Sequence, residues 1–467
     1  MYDTIIIGAG MSGLAAGIRL AHFEQKVCVL EKHTTIGGLN SFYRLNRRDY
    51  DVGLHAVTNF TEKGAKKGPL AKLLRQLRFK WEDFALSPQL GSEIAFPGVR
   101  LKFTNDPEVL AGEIEKKFPR ERDRYRALLG KILDYDELED SAFQISARKV
   151  LGETLSDPLL IEMLLCPLMW YGNARERDMD WGQFCIMFRA LYLEGLARPF
   201  KGVRLILKNL VKKFRGLGGE LRLRTGVKSI KTENGRAVGV VLENGEELLG
   251  KRILSSAGRL ETLKLCDDLT VVDQAQAGNL SFVETVSILD RRPQQLGHDR
   301  TIVFYNDSEK FHWERPTKTP VDLRTGVICS PNNFDYPQGE LLEEGVIRVT
   351  AIADWDAWSK MSEPEYRLAK HEWFDRVNAS ASRFMPDFRR RVVASDMFTP
   401  TTIRRFTWHE NGAVYGAPEK VLDGRTHLDN LYLCGTDQGY IGIIGSIVSG
   451  ISMANRWCLN ASEPTAT

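Results

Sequence analysis

The chain has 467 residues, longer than one core usually grows, with 43% hydrophobic and 27% charged residues, an ordinary globular composition with room to enclose a large ligand. A formal charge of +3 is too small to argue for nucleic acid as a partner. Seven scattered cysteines, with no Cys-x-x-Cys pair and no histidines at zinc spacing, argue against a metal site and fit a reducing compartment.

The opening "DTIIIGAGMSGLAAGIRLA" runs from a β-branched strand through glycines into an Ala/Leu-rich helix, and "KVCVLEK" follows as a second strand. It enters the strand without a basic leader or cleavage site, so a cytoplasmic protein is expected. Gly8, Gly10 and Gly13 stand in G-x-G-x-x-G order. Gly8 makes the tight turn, Gly10 admits a pyrophosphate and Gly13 lets helix and strand pack closely, with Met11 and Ser12 opening the helix toward the phosphates. Glu31 ends the second strand about 20 residues on, where an acid accepts ribose hydroxyls and disfavours a 2′-phosphate, with Lys32 beside it. This β-α-β unit is a dinucleotide site.

Gly37 and Gly38 follow almost at once, then Leu39 and Asn40, then "DYDVGLHAVTNF". A lone histidine among apolar neighbours is more often structural than chemical, so His55 has to be judged by its surroundings. In "GPLAKLLRQLRFK", Leu70, Leu73, Leu74 and Leu77 share a helical face with Lys72, Arg75 and Arg78 between them. Such a helix packs on its own core or lies on a membrane surface. No apolar run nears the roughly 18 residues that span a bilayer, so contact through 66–80, at the inner face, would be peripheral.

Residues 105–199 read as a mainly helical cap, rich in aromatics at "DPLLIEMLLCPLMWYGN" and "FCIMFRALYLEGLARPF". A helix, a strand and a hairpin with turns at Asn234-Gly235 and Asn244-Gly245 follow, up to Ala257-Gly258. The order of elements over 280–395 stays open. "LYLCGTDQGYIGIIGSIVSG" is a strand, a glycine-rich turn and a helix with small residues.

A closing strand some 400 residues after the first, with the glycine pair behind the second strand, resembles the large flavoprotein superfamily of amine oxidases and phytoene desaturases. "GGLNSFYRLNRRDYDVGLH" is most similar to the branch of phytoene desaturases, carotenoid isomerases and all-trans-retinol saturase. The resemblance implies FAD and an α/β fold: a Rossmann-like FAD-binding domain of glutathione reductase/amine oxidase type with an interleaved α+β substrate domain. The expected boundaries are 1–75, 200–280 and 396–467 for the FAD domain, and 76–199 with 281–395 for the substrate domain. It also implies that Val227 and Ala257 border the adenosine, that Gly435, Thr436 and Asp437 neighbour the ribityl-phosphate end, and that Ile443 and Ile444 meet the flavin's pyrimidine edge. Relatives carry Arg where this chain has Leu39 and Asn40, so that phosphate contact would pass to Ser41 or Arg44.

The implied activity is an FAD-dependent oxidoreductase that desaturates, saturates, isomerises or dehydroxylates an apolar carotenoid, squalene-type or retinoid substrate. Proton donors able to reach an apolar tunnel are few: His55, which the glycine pair brings toward flavin or substrate, Tyr171, His409, Glu410 and Tyr440. Trp170 or Trp408 could instead stabilise developing positive charge. An amine oxidase-like enzyme of a smaller polar substrate is the alternative, with Tyr440 as half of an aromatic cage. A non-catalytic prenyl-binding escort shares this fold, but its dinucleotide motif is usually eroded, and here the motif is intact.

Overall fold

The computed structural model describes residues 1–53, 56–136, 145–266, 272 and 276–459. The expectation for His55 lies outside the described residues. Two seven-stranded sheets organise the rest. In the first, Glu220–Arg222, Val27–Leu30, Tyr2–Ile7, Glu247–Ser255 and Leu431–Leu433 run parallel in that spatial order. Glu247–Ser255 is long enough to serve twice: its first residues pair with the hairpin Val227–Glu233/Arg236–Leu242, and the remainder pairs with Tyr2–Ile7. The hairpin closes on Asn234 (φ 50°) and Gly235 (φ 76°), both in the left-handed conformation that a tight two-residue turn demands.

Small residues let the helices of this half sit close. A Cβ on Gly13 would lie 2.1 Å from the Gly8 carbonyl oxygen, and one on Gly450 would lie 2.0 Å from that of Ser12. Helix Met11–Ala21 is therefore clasped between the parallel sheet and the last helix, Gly442–Met453. Helix Pro69–Leu77 buries Leu70, Leu73, Leu74 and Leu77 against these same two helices, each side chain contributing about 1.5–3 kcal/mol of apolar burial. Of the two expectations for this helix, packing on its own core is the one the structure shows: the leucine face is consumed inside the chain, and the exposed residues of 66–80 are cations such as Lys72 and Arg75. Among the described residues, no helix is long and apolar enough to cross a membrane.

The second sheet runs Val392–Phe398, Ser281–Leu289, Gly345–Ala353, Thr325–Cys329, Ile302–Asn306, Ser92–Phe96, Val99–Phe103. Val392–Phe398 crosses the expected boundary at 395/396 and pairs along its length with Ser281–Leu289. Strand alternation gives this sheet two apolar faces. Val283, Val349 and Ala351 meet helix Glu363–Ala381, whereas Phe282, Phe304 and Ile352 meet the helical segment, chiefly Pro158–Gly172 and Trp181–Phe188.

One buried ionic chain ties the halves together. Asp51, at the end of strand Arg48–Asp51, accepts hydrogen bonds from Arg198 and Arg204, both at 3.1 Å. Its backbone carbonyl accepts from Arg348 at 2.8 Å, and Arg348 Nε donates to Glu284 Oε1 at 2.6 Å. Gly202 (φ 77°) turns the chain against Asp51 where a Cβ would lie 1.8 Å from Oδ2, so Asp51 is a tether. Asp51→Ala leaves two guanidiniums without their carboxylate and should cost about 3–5 kcal/mol. A urea titration followed by circular dichroism checks this; an unchanged midpoint would mean that the pairs contribute nothing.

Candidate active site

The residues just past the strand ends decide the site, because the carboxyl ends of parallel strands open onto a common crevice. Gly8, Glu31 and Ser256 follow Ile7, Leu30 and Ser255 and line one cleft, with Gly10, Met11, Ser12, Lys32, Gly37, Gly38, Leu39, Asn40, Val227, Ala257 and Thr436. Gly8 (φ 97°) makes the turn against Ser256, where a Cβ would approach Oγ to 2.5 Å. Gly10 is different: the nearest protein atom to a Cβ there is 4.0 Å away, so the glycine keeps space for a ligand rather than for the protein. No side chain caps helix Met11–Ala21, which leaves its amides and dipole facing the cleft. Glu31 accepts from Ala9 N at 3.0 Å through Oε2 and from His33 N at 2.9 Å through Oε1, and each oxygen keeps a lone pair for a ribose hydroxyl. These residues fit the adenosine and diphosphate of FAD.

Past Leu39, Asn40, Thr436 and Ser446 the cleft joins a second space walled by Val52, Trp170, Tyr171, Phe282, Phe398, Ile403, Tyr415 and Ile441. Gly442 (φ 79°) and Ile443 open the last helix onto this junction, again without a side-chain cap. Two helix N-termini thus face the joined site, one suited to a diphosphate and the other to negative charge on a flavin ring.

Several expected site residues lie elsewhere. Gly13 packs behind Gly8, and Gly435 packs on Ser12. Asp437 is a structural tie, accepting from Arg259 N at 2.6 Å and Ala417 N at 2.8 Å with Lys420 at 3.5 Å. Ile444 is in the core, and Tyr440 sits against Gly445 and lines neither space. Ser41 and Arg44 do not line the cleft; Arg44 is exposed beside Asp49, and the cleft is lined by Lys32 and His33 instead. Of the expected proton donors among the described residues, only Tyr171 lines the apolar cavity. Burial holds its phenol well above the ordinary value, so it keeps its proton and is able to donate a hydrogen bond. Glu410 is held by Lys264 at 2.7 Å outside both spaces.

His409 lines the cofactor cleft instead, because Trp408 (φ 67°) reverses the chain at the end of helix Pro400–Thr407. Trp408 goes with it, stacking under Lys32 Nζ at 4.0 Å, so of the two tryptophans only Trp170 faces the cavity. Residues that the sequence reading missed include Glu261 and Phe406 at the cleft and Phe282, Glu284, Thr350 and Tyr415 at the cavity. A readable signal existed for one: Glu284 is the sole charge in the strand "SFVETVSIL".

The comparisons with known proteins agree with this geometry. The model of the family "Flavin containing amine oxidoreductase" matches residues 11–457. The chain belongs to this family. It is 24% identical to the chloroplastic prolycopene isomerase of Daucus carota over 97% of this chain and 80% of the carrot protein. It is 23% identical to the all-trans-retinol 13,14-reductase of Rattus norvegicus over 95% of this chain and 84% of the rat protein. It is 20% identical to a 4,4'-diaponeurosporene oxygenase of Staphylococcus aureus over 98% of each. Among solved structures, wild-type putrescine oxidase bound to putrescine superposes with a TM-score of 0.64 at 14% identity, covering 97% of this chain and 98% of that one. An oxidoreductase from Methanosarcina mazei gives 0.65 at 16%, covering 97% and 99%. This flavoprotein is an FAD-dependent oxidoreductase of the amine oxidase-like fold.

Two predictions follow from the cleft. Gly10→Val should leave the apoprotein's thermal unfolding unchanged yet lower FAD affinity by at least about tenfold, because the side chain occupies ligand space alone. Fluorescence titration with FAD checks it, and unaltered affinity would remove the diphosphate from Gly10. For His409, burial lowers the pKa, but the carboxylate of Glu261, 3.6 Å from Nδ1, with the charge of Asp437, outweighs burial and Lys420, so its pKa is raised. A raised folded pKa contributes stability fully present below the unfolded value and lost as pH rises through the folded one. His409→Gln should therefore lower Tm more at about pH 6 than at about pH 9. Equal losses at both values would show that the pair is uncharged.

Proposed function

We propose that this oxidoreductase acts on an isoprenoid polyene, adding, removing or rearranging hydrogen across a carbon–carbon double bond. The carrying observation is the cavity beyond the cofactor cleft: its walls are Val52, Trp170, Phe282, Phe398, Ile403 and Ile441, apolar and aromatic, on the side away from the diphosphate cradle. A polyene offers no charge to grip, so its binding has to come from burial against such surfaces, at about 25 cal/mol per Å² of apolar area. FAD, when bound, supplies hydride acceptance or donation at the ring held between the two spaces. The chain supplies the surroundings. Trp170 and Tyr415 offer aromatic faces to positive charge developing along a polyene, and the Tyr415 hydroxyl is fixed on the Trp170 carbonyl, which holds both rings in place. Relatives named for prolycopene, retinol and diaponeurosporene support the same substrate chemistry.

Anaerobic mixing of the flavin-loaded protein with a carotene and, separately, with all-trans-retinol tests the reading. Bleaching of oxidised flavin would identify desaturation, reoxidation of chemically reduced flavin would identify saturation, and an altered isomer composition with unchanged flavin would identify isomerisation. An inert flavin and an inert polyene in both redox states, with putrescine reducing the flavin instead, would return the protein to the amine oxidase reading.

A further inference from the structure

The apolar cavity carries polar atoms that its own walls do not satisfy. Glu284, buried on strand Ser281–Leu289, uses Oε1 twice for Arg348, but among the described residues Oε2 has only Thr350 Oγ1 at 3.5 Å. Thr350 lines the cavity beside it. On the facing helix Pro158–Gly172, Tyr171 Oη and Trp170 Nε1 are both buried and have no hydrogen-bond partner among the described residues. Trp170 packs on Phe282 at 5.2 Å between ring centres, and Phe282 and Glu284 point to the same face of their strand, two residues apart. Native interiors leave few buried donors and acceptors unpaired, and each such group commonly implies something that completes it.

Resting on the polyene reading above, we propose that Glu284 is the specificity-determining residue of this cavity, selecting an isoprenoid that carries a hydroxyl over the bare hydrocarbon. The hydroxyl donates to Glu284 Oε2 and accepts from the Tyr171 phenol. Arg348 is a positioning residue: clamped between Glu284 and the Asp51 carbonyl, it fixes the carboxylate and leaves Oε2 toward the ligand. Charge separates a hydroxyl from the other groups able to reach Oε2. Among the described residues, the ionic chain behind the wall contains three guanidiniums, Arg198, Arg204 and Arg348, against two carboxylates, Asp51 and Glu284. An ammonium would add positive charge to a set already in excess, and a ligand carboxylate would meet Oε2 directly. A hydroxyl does neither. A hydrocarbon, in turn, would bury Oε2 and the phenol without partners, and a missing partner of this kind is worth roughly tenfold to a hundredfold in binding.

The test measures equilibrium binding to the FAD-loaded protein, by perturbation of flavin absorbance in the absence of turnover, for three probes of matched length. These are geranylgeraniol, the hydrocarbon lacking its oxygen, and geranylgeranylamine. The alcohol should bind at least about tenfold tighter than the hydrocarbon, and the amine weaker than the alcohol. Two variants locate the effect. Glu284→Leu combined with Arg348→Met removes the carboxylate without stranding a guanidinium, and Tyr171→Phe removes one hydroxyl while keeping the ring. In each, the alcohol's advantage should shrink while hydrocarbon affinity stays as in the parent, a pattern that a merely structural loss would not give. If the double variant does not fold, Tyr171→Phe decides. Equal affinity of alcohol and hydrocarbon in the parent, an advantage that survives in a folded variant, or tightest binding of the amine would overturn the proposal. The first two results would leave the isoprenoid reading standing, whereas failure of both alcohol and hydrocarbon to bind would remove that reading too.

Discussion

Asp51 holds the two halves of the molecule at the place where their surfaces have to meet. Its carboxylate joins Arg198, which follows the helical segment, to Arg204, which opens the helix Arg204–Gly216 of the cofactor side, and its backbone carbonyl takes Arg348 from the second sheet. Buried charges are tolerated only when paired, and that requirement restricts the geometry more than apolar contact does, because hydrophobic surfaces can slide while a guanidinium cannot leave its carboxylate. The residues just after Asp51, Val52 and Gly53, line the cavity, so the tether also sets one of its walls. Glu284 and the cofactor side are linked through these ion pairs and the Arg348 hydrogen bond to the Asp51 carbonyl.

The cofactor half solves a different problem, which is to bring two helix N-termini to one crevice. Ordinary side chains would keep helices Met11–Ala21 and Gly442–Met453 apart; the missing Cβ of Gly450 lets the backbone of Ser12 approach, and that of Gly13 lets the first helix reach its strand. The resulting positive ends face a cleft where an anionic diphosphate and an electron-rich flavin ring are both favoured. His409, whose pKa the neighbouring Glu261 raises against the effect of burial, stands at the cleft wall beside them. The chemistry is thus divided spatially, with charge managed on one side of Leu39 and Asn40 and apolar burial offered on the other.

Local signals survived translation into structure best. The G-x-G-x-x-G turn, Glu31 at the strand end, the leucine face of Pro69–Leu77 and the Asn234-Gly235 turn each depend on a few consecutive residues, and a short stretch of sequence carries that information whole. The second sheet was illegible for the opposite reason. Ile302–Asn306 pairs in parallel with Ser92–Phe96, about 200 residues earlier, and no local pattern announces such a partner. His409 was assigned to the wrong space because a single left-handed residue, Trp408, redirects the chain, and a tryptophan gives no warning of a positive φ. Tyr440 fell away for a similar reason: the loop from Gly439 (φ 114°) to Gly442 places it against Gly445. Glu284 could have been flagged, since a lone acid in an apolar strand has to find a partner, yet that partner, Arg348, stands on a neighbouring strand that the sequence did not reveal.

The central claim is that the cleft and the apolar cavity are one site, with the flavin ring at their junction. A crystal structure of the FAD-loaded protein tests it most directly. The account predicts adenosine against Glu31, diphosphate at the Gly8–Gly13 turn, and the flavin ring beside Gly442 and Ile443 with one face open to Trp170 and Tyr415. A ring lodged away from the Leu39–Thr436 junction, or shielded from the cavity by side chains of the chain itself, would contradict it.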